Sequence, residues 1–218
     1  MYGVFKKEQD KLKKRLLCMS AMVEESLLRA VRAFQQNDTV MARKIMDGDA
    51  VIDDLEVEIE EECLKVLALH QPVAVDLRFL AAILRINNDL ERIADQAVNI
   101  CTQISSGHLS LYNEGIDISL IASRAQKMLK KSLDAFVNID AELAYEVCRL
   151  DDEVDHLNEE NTEKVIEAIE DDPSRTRRLL QILRVSRNLE RVADLATNIA
   201  EVVIYLTRGE IVRHKLNH

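Results

Sequence analysis

Apolar residues recur at steps of three and four along nearly the whole 218-residue chain. Ile83, Ile86, Leu90, Ile93, Ala97, Ile100 and Ile104 form one such series; Ile182, Val185, Leu189, Val192, Ala196, Ile199 and Val203 form another. That spacing draws a stripe down one side of an α-helix, sustained long enough to serve as the seam of a bundle. Breakers interrupt the pattern at Asn37-Asp38-Thr39, at Pro72 after His70-Gln71, at Ser105-Ser106-Gly107-His108, at Asn138-Ile139-Asp140 and at Asp171-Asp172-Pro173-Ser174. The spacing predicts helices over 5–36, 39–70, 72–105, 115–137, 140–171 and 173–207. Pro72 and Pro173 are each expected to open one, where a missing N–H costs least.

The two series belong to a longer repeat. Residues 83–100 and 182–199 are identical at eleven of eighteen positions at an offset of 99. Earlier in the chain the offset is 102: Ala33-Phe34 matches Ala135-Phe136, Asp49 matches Asp151 and Asp53 matches Asp155. The three-residue difference falls around the prolines, between the second and third helix of each unit. A helix triplet used twice explains this most simply. The expected fold is all-α: two tandem three-helix bundles, residues 1–108 and 109–218, each burying stripes that no lone helix could cover.

Composition sharpens this picture. Five Gly and two Pro are too few for a turn-rich β protein, and at 4% aromatic residues without Trp the core must be aliphatic. A net charge of −10 argues against nucleic acid as a partner, since phosphate backbones need a basic footprint. Lys6, Lys7, Lys11, Lys13, Lys14 and Arg15 do form a local basic patch. It reads either as a solvated helix face or as a landing site for a membrane surface or an acidic partner. Cys18, Cys63, Cys101 and Cys148 lie far apart without any CxxC pair, which suits small core residues in a reducing compartment. No signal-peptide core and no spanning run of about 18 apolar residues is present, so a cytoplasmic location is expected, peripheral to a membrane at most.

The candidate chemistry lies in acids one turn apart. Glu91, Asp95 and Asn99 form a column that Glu190, Asp194 and Asn198 repeat, on the side of the helix away from the seam. The second helix of each unit adds Asp49, Asp53, Glu56 and Glu60, or Asp151, Asp155 and Glu159. Residues 47–62 hold nine acids and no base; residues 151–172 hold eleven acids and one lysine. Like charges at that spacing repel by a few tenths of a kcal/mol per pair unless something positive sits beside them. Arg85, Arg92, Arg184, Arg187 and Arg191 on the partner helix could supply that charge. So could a bound cation, because carboxylate clusters suit Mg²⁺, Mn²⁺ or iron, singly or as a multinuclear cluster. A ferritin-like di-metal oxidase needs a Glu-x-x-His pair on two helices. Glu153-x-x-His156 has no twin, since Val51 and Asp54 stand in its place. No nucleophile–base arrangement, GxGxxG or P-loop is evident, so the reading is a non-enzyme.

Gln71-Pro72-Val73-Ala74-Val75-Asp76-Leu77-Arg78, followed by Asn88-Asp89-Leu90-Glu91-Arg92-Ile93-Ala94-Asp95-Gln96-Ala97-Val98-Asn99-Ile100, resembles the first-repeat signature of the PhoU family. Asn188-Leu189-Glu190-Arg191-Val192-Ala193-Asp194 and the residues to Gly209-Glu210 resemble its closing motif. The resemblance covers essentially the whole chain. It implies a homodimeric cytoplasmic regulator that restrains the phosphate-starvation response, coupling the ATPase subunit of a phosphate ABC importer to a sensor histidine kinase. It also implies metal, as single ions or multinuclear iron or zinc clusters, on Glu91/Asp95 and Glu190/Asp194, faced by Asp49/Asp53 and Asp151/Asp155. The Asp76-Leu77-Arg78 element has no copy in the second unit, where Pro173-Ser174-Arg175-Thr176-Arg177 stands.

Overall fold

The computed structural model describes residues 2–104, 116 and 118–209. Among these the chain forms six α-helices and no strand: α1 (Tyr2–Gln36), α2 (Thr39–His70), α3 (Ala74–Thr102), α4 (Ile118–Asn138), α5 (Ala141–Asp171) and α6 (Thr176–Arg208). None of them is long and apolar enough to cross a membrane.

The duplication is visible in the backbone itself. Asn37 and Ile139, 102 residues apart, end the first helix of their units with φ values of 50° and 52°. The next residue then caps the following helix. Asp38 Oδ1 accepts from the amides of Val40 and Met41, and Asp140 Oδ1 accepts from those of Glu142 and Leu143. Each carboxylate thereby satisfies two of the N–H groups that a helix start leaves unpaired.

The prolines behave differently from expectation. Pro72 lies two residues ahead of α3, after Gln71 has closed α2 in the left-handed region at φ 45°. Pro173 opens a short 3₁₀ turn, Pro173–Arg175, capped by Asp172, and α6 begins only at Thr176. A proline disfavours helical backbone in the residue before it, so each junction spends a few residues turning before the helix can start. α3 ends at Thr102 rather than 105, and α4 starts at Ile118 rather than 115. The expected boundary at 108/109 lies outside the described residues.

Each unit's three helices pack on one another, and α3 also packs against α6. These two run antiparallel: a Cβ on Gly209, just past the end of α6, would stand 3.5 Å from Nη1 of Arg78 in the first turns of α3. The halves also meet where Phe79 stacks on Phe136, 6.4 Å between ring centroids, and where Lys13 Nζ donates to the Val137 carbonyl at 3.1 Å. Both seam series are buried apart from the partly buried Ile104, and they feed one continuous cluster. Burial of each such aliphatic side chain contributes about 1.5–3 kcal/mol. The two bundles are therefore fused through α3 and α6.

Cys63 and Cys101 are buried and Cys148 is half-buried, but Cys18 is exposed. It falls off the Leu12–Leu16–Met19–Val23 stripe of α1, so the helix turns it outward. The basic residues of α1 are partly paired: Lys11 with Glu62 at 3.2 Å, Arg15 with Glu58 at 3.3 Å, and Lys6 with Asp10 at 3.5 Å. One edge of the acidic α2 is thus neutralised by α1, while its Asp49/Asp53 edge turns toward α3.

Candidate metal centre

α2 and α3 bring the first set of acids together. Asn87, one turn before Glu91 and buried, donates to the Glu56 carbonyl at 2.9 Å and to its Oε1 at 3.3 Å, tying the two helices side by side. Asp49 and Glu91 are half-buried, whereas Asp53 and Asp95 are exposed. Partial burial, then the charges of Asp53 and Asp95, push the Asp49 carboxyl up to about 6. Glu91 is raised by burial, then by Asp95, Asp53, Glu56 and Asp49. Asp95 is raised by burial and by Asp53. The acids of this half therefore act on one another, and no arginine or lysine opposes the rise at Asp49, Glu91 or Asp95.

The second set is tighter. One oxygen each of Asp151 and Asp155 on α5 and Asp194 on α6 lie within 4.8 Å of one another. Among the described residues no other three carboxylate, thiol or imidazole groups gather this closely. Burial, then the charges of Asp194 and Asp155, push Asp151 up to about 7. The Thr197 hydroxyl, directed at the Asp151 carboxylate as a loose hydrogen-bond donor, pulls the other way, but the contact closes a full bond to neither Thr197 Oγ nor the buried Oδ1 of Asp151. Glu190 stands one turn before Asp194, outside the trio. Burial, Asp194 and Asp155 raise it, and Arg191 and Arg187 oppose them. Asp194 is raised by burial and Asp155, opposed by Arg191 and by Arg92 from the other half.

These residues fit a hard cation. Three carboxylates are oxygen donors of the kind Mg²⁺, Mn²⁺ and iron prefer, whereas zinc usually takes nitrogen and sulfur. The Cys148 thiol lines the groove beside these acids, and burial pushes it up to about 12. A buried carboxylate oxygen without a partner is costly unless something positive reaches it. Glu153 and His156 do not join the trio: Glu153 faces Arg124 at 3.6 Å and His156 faces Glu160 at 3.1 Å.

Beside the trio lies a groove of about 560 Å³, with Arg92 and Gln96 on one wall and Cys148, Asp151, Arg191, Asp194, Thr197, Asn198 and Glu201 around the rest. Gln96, Thr197 and Glu201 are not anticipated by the duplication. Thr197 corresponds to Val98, Gln96 to Leu195 and Glu201 to Thr102, so a search for matched pairs passes over them. Helical spacing carried the missing signal: Thr197 lies three residues beyond Asp194, on the same ridge.

A family model described as the PhoU domain matches the chain twice, over residues 16–104 and 118–203. The chain belongs to the PhoU family. Among its PhoU relatives is a phosphate-specific transport system accessory protein PhoU homolog of Pseudomonas aeruginosa, 37% identical over 216 residues, covering 96% of this chain and 88% of that protein. A homolog of the same description from Clostridium acetobutylicum is 35% identical, covering 96% of both. The crystal structure of PhoU from Pseudomonas aeruginosa matches with a TM-score of 0.87 at 36% identity, over 94% of this chain and 100% of that one. The phosphate transport system regulatory protein PhoU from Streptococcus pneumoniae matches with a TM-score of 0.87 at 28% identity, over 95% and 99%. The tandem of PhoU-type bundles is thus shared along essentially the whole chain.

Proposed function

We propose that this chain is a cytoplasmic regulator of phosphate uptake that restrains the phosphate-starvation response. It acts as an adaptor between the ATPase subunit of a phosphate ABC importer and a sensor histidine kinase, as a homodimer, with cations bound on its acidic columns. The observation that carries the cation reading is the convergence of Asp151, Asp155 and Asp194, with an orphaned Asp151 oxygen among them. The regulatory part is supported by the relatives, which are named as accessory or regulatory proteins of phosphate transport.

Asp151, Asp155 and Asp194 hold the ion in the second half, with Glu190 positioned to join. Asp49, Asp53, Glu91 and Asp95 form the looser counterpart in the first. A bound cation relieves the mutual repulsion of the carboxylates and leaves the remaining surface acids to meet basic surfaces of partners. Elemental analysis of protein purified without chelator, with pull-down of the importer ATPase subunit and of the kinase, tests the reading. Metal enrichment and capture of both partners are expected, with capture lost on charge reversal of Glu91 and Asp95. Unchanged capture by the doubly reversed protein, together with intact phosphate-responsive gene control, would refute the adaptor role.

A further inference from the structure

Cation binding does not account for the groove beside the trio. Arg92 and Arg191 occupy equivalent positions of the repeat, 99 residues apart, on the antiparallel α3 and α6. Both line the groove, and the charges of both reach the same carboxylate, Asp194. Arg92 also lies 3.6 Å from Asp89, whereas Arg191 is exposed and makes no salt bridge among the described residues. Two guanidinium groups thus come from opposite helices onto one space.

We infer that this groove takes a phosphoryl group, recognised by the Arg92 and Arg191 side chains, with the balancing positive charge supplied by the cation that Asp151, Asp155 and Asp194 would hold. The inference rests on the cation reading above. A guanidinium presents parallel N–H donors that match two oxygens of a tetrahedral anion, and two such forks cover it from both sides. The remaining wall mixes the apolar Leu195 and Cys148 with polar side chains. The Thr197 hydroxyl leans on the Asp151 carboxylate without closing a full hydrogen bond and can turn to donate into the groove, and Gln96 Oε1 is buried and unpartnered, able to accept from a P–OH or an ordered water.

Charge makes the site conditional. Asp151, Asp194 and Glu201 outnumber the two arginines in the lining, so without metal the groove offers an anion no net attraction. A divalent cation reverses that balance, being the largest local charge in such a site. A volume near 560 Å³ exceeds what a bare phosphate ion fills, so the same chemistry could arrive as inorganic phosphate or as a phosphate ester on a larger molecule. The first half offers no equivalent, since Val98 replaces the hydroxyl of Thr197 and Leu195 replaces the amide of Gln96 at the matched positions.

The test uses the full chain loaded with Mn²⁺ and freed of excess metal, titrated calorimetrically at constant ionic strength with inorganic phosphate, phosphoserine and acetate. Phosphate or phosphoserine is expected to bind and acetate not. Tighter phosphate identifies the free anion as the source, and tighter phosphoserine a phosphorylated partner. Arg191→Gln and Arg92→Gln should each weaken binding about tenfold or more while Mn²⁺ content stays that of the parent. Metal-free protein should bind neither phosphoryl probe. Normal Mn²⁺ loading with no phosphoryl binding, or with binding that both arginine variants retain in full, would overturn the inference and leave the cation reading standing. Failure to load Mn²⁺ at all would remove both.

Discussion

The two halves of this molecule carry the same acidic ladder but use it differently. In the first, burial and neighbouring carboxylates raise Asp49, Glu91 and Asp95 with no basic group opposing them, and Asp49 reaches about 6. In the second, Asp151, Asp155 and Asp194 close to within 4.8 Å, and Asp151 reaches about 7. There Arg191, Arg187 and Arg92 partly offset the repulsion on α6. The packing behind the two sites differs as well. Asn87 of the first half becomes Ser186 in the second, which donates to Asn158 Oδ1 at 2.9 Å and accepts from Asn161 at 3.2 Å. Asn161 stands where the first half has Ile59. A duplicated sequence has thus kept its charges in register while the residues between α5 and α6 were rebuilt. The lesson is that ladder spacing sets which acids can meet, and helix packing decides which do.

The largest effect should come where the halves are most alike. Phe34 and Phe136 are equivalent and fully buried in one shared cluster. Phe34→Ala and Phe136→Ala should each cost about 3–5 kcal/mol. Chemical denaturation should remain a single transition in both, and two separated transitions would show that the halves are not fused.

Next in size is metal. Mn²⁺ at a hundredfold excess over its Kd should stabilise the protein by about 2.7 kcal/mol through mass action. Asp194→Asn should abolish most of that gain in a thermal melt, and Asp95→Asn should leave most of it. An equal loss from both would erase the proposed difference between the sites.

pH gives a smaller contrast. Because Asp151 holds its proton more tightly folded than unfolded, its contribution to stability is complete below about pH 4 and is lost as pH rises through about 7. Asp49 loses its share earlier, near 6. Metal-free Asp151→Asn should therefore melt higher than the parent at pH 8 and show little gain at pH 4, with a lesser gain for Asp49→Asn. With metal present the order reverses, since the cation requires the ionised carboxylate.

The smallest effect lies in the backbone. Asn37 tolerates its left-handed φ of 50°, but the β-branched Ile139 is strained at 52°. Ile139→Asn should raise stability by about 1 kcal/mol, and Asn37→Ile should lower it comparably.

Six helices, their pairing into triplets and the inward seams were legible in the chain because each rests on local spacing. The acidic columns follow from the same spacing, since side chains four apart share a face wherever the helix packs. The choice between arginines and a cation as their counterpart was not, since it depends on distances across α5 and α6. Thr197 and Gln96 escaped because they differ from their counterparts, Val98 and Leu195. The junctions after Gln71 and Asp172 were misplaced by a few residues, because proline marks the neighbourhood of a helix start without fixing its first residue.

The antiparallel passage of α3 beside α6 has a consequence for how such a chain could arise. Each unit alone would leave this face of its third helix uncovered. The repeat relates the two helices by a half-turn, and that is the relation two identical copies of one unit would adopt in an isologous pair. A separately expressed second unit, residues 116–209, is accordingly expected to self-associate through α6, with Arg191 of one copy replacing Arg92 beside Asp194 of the next.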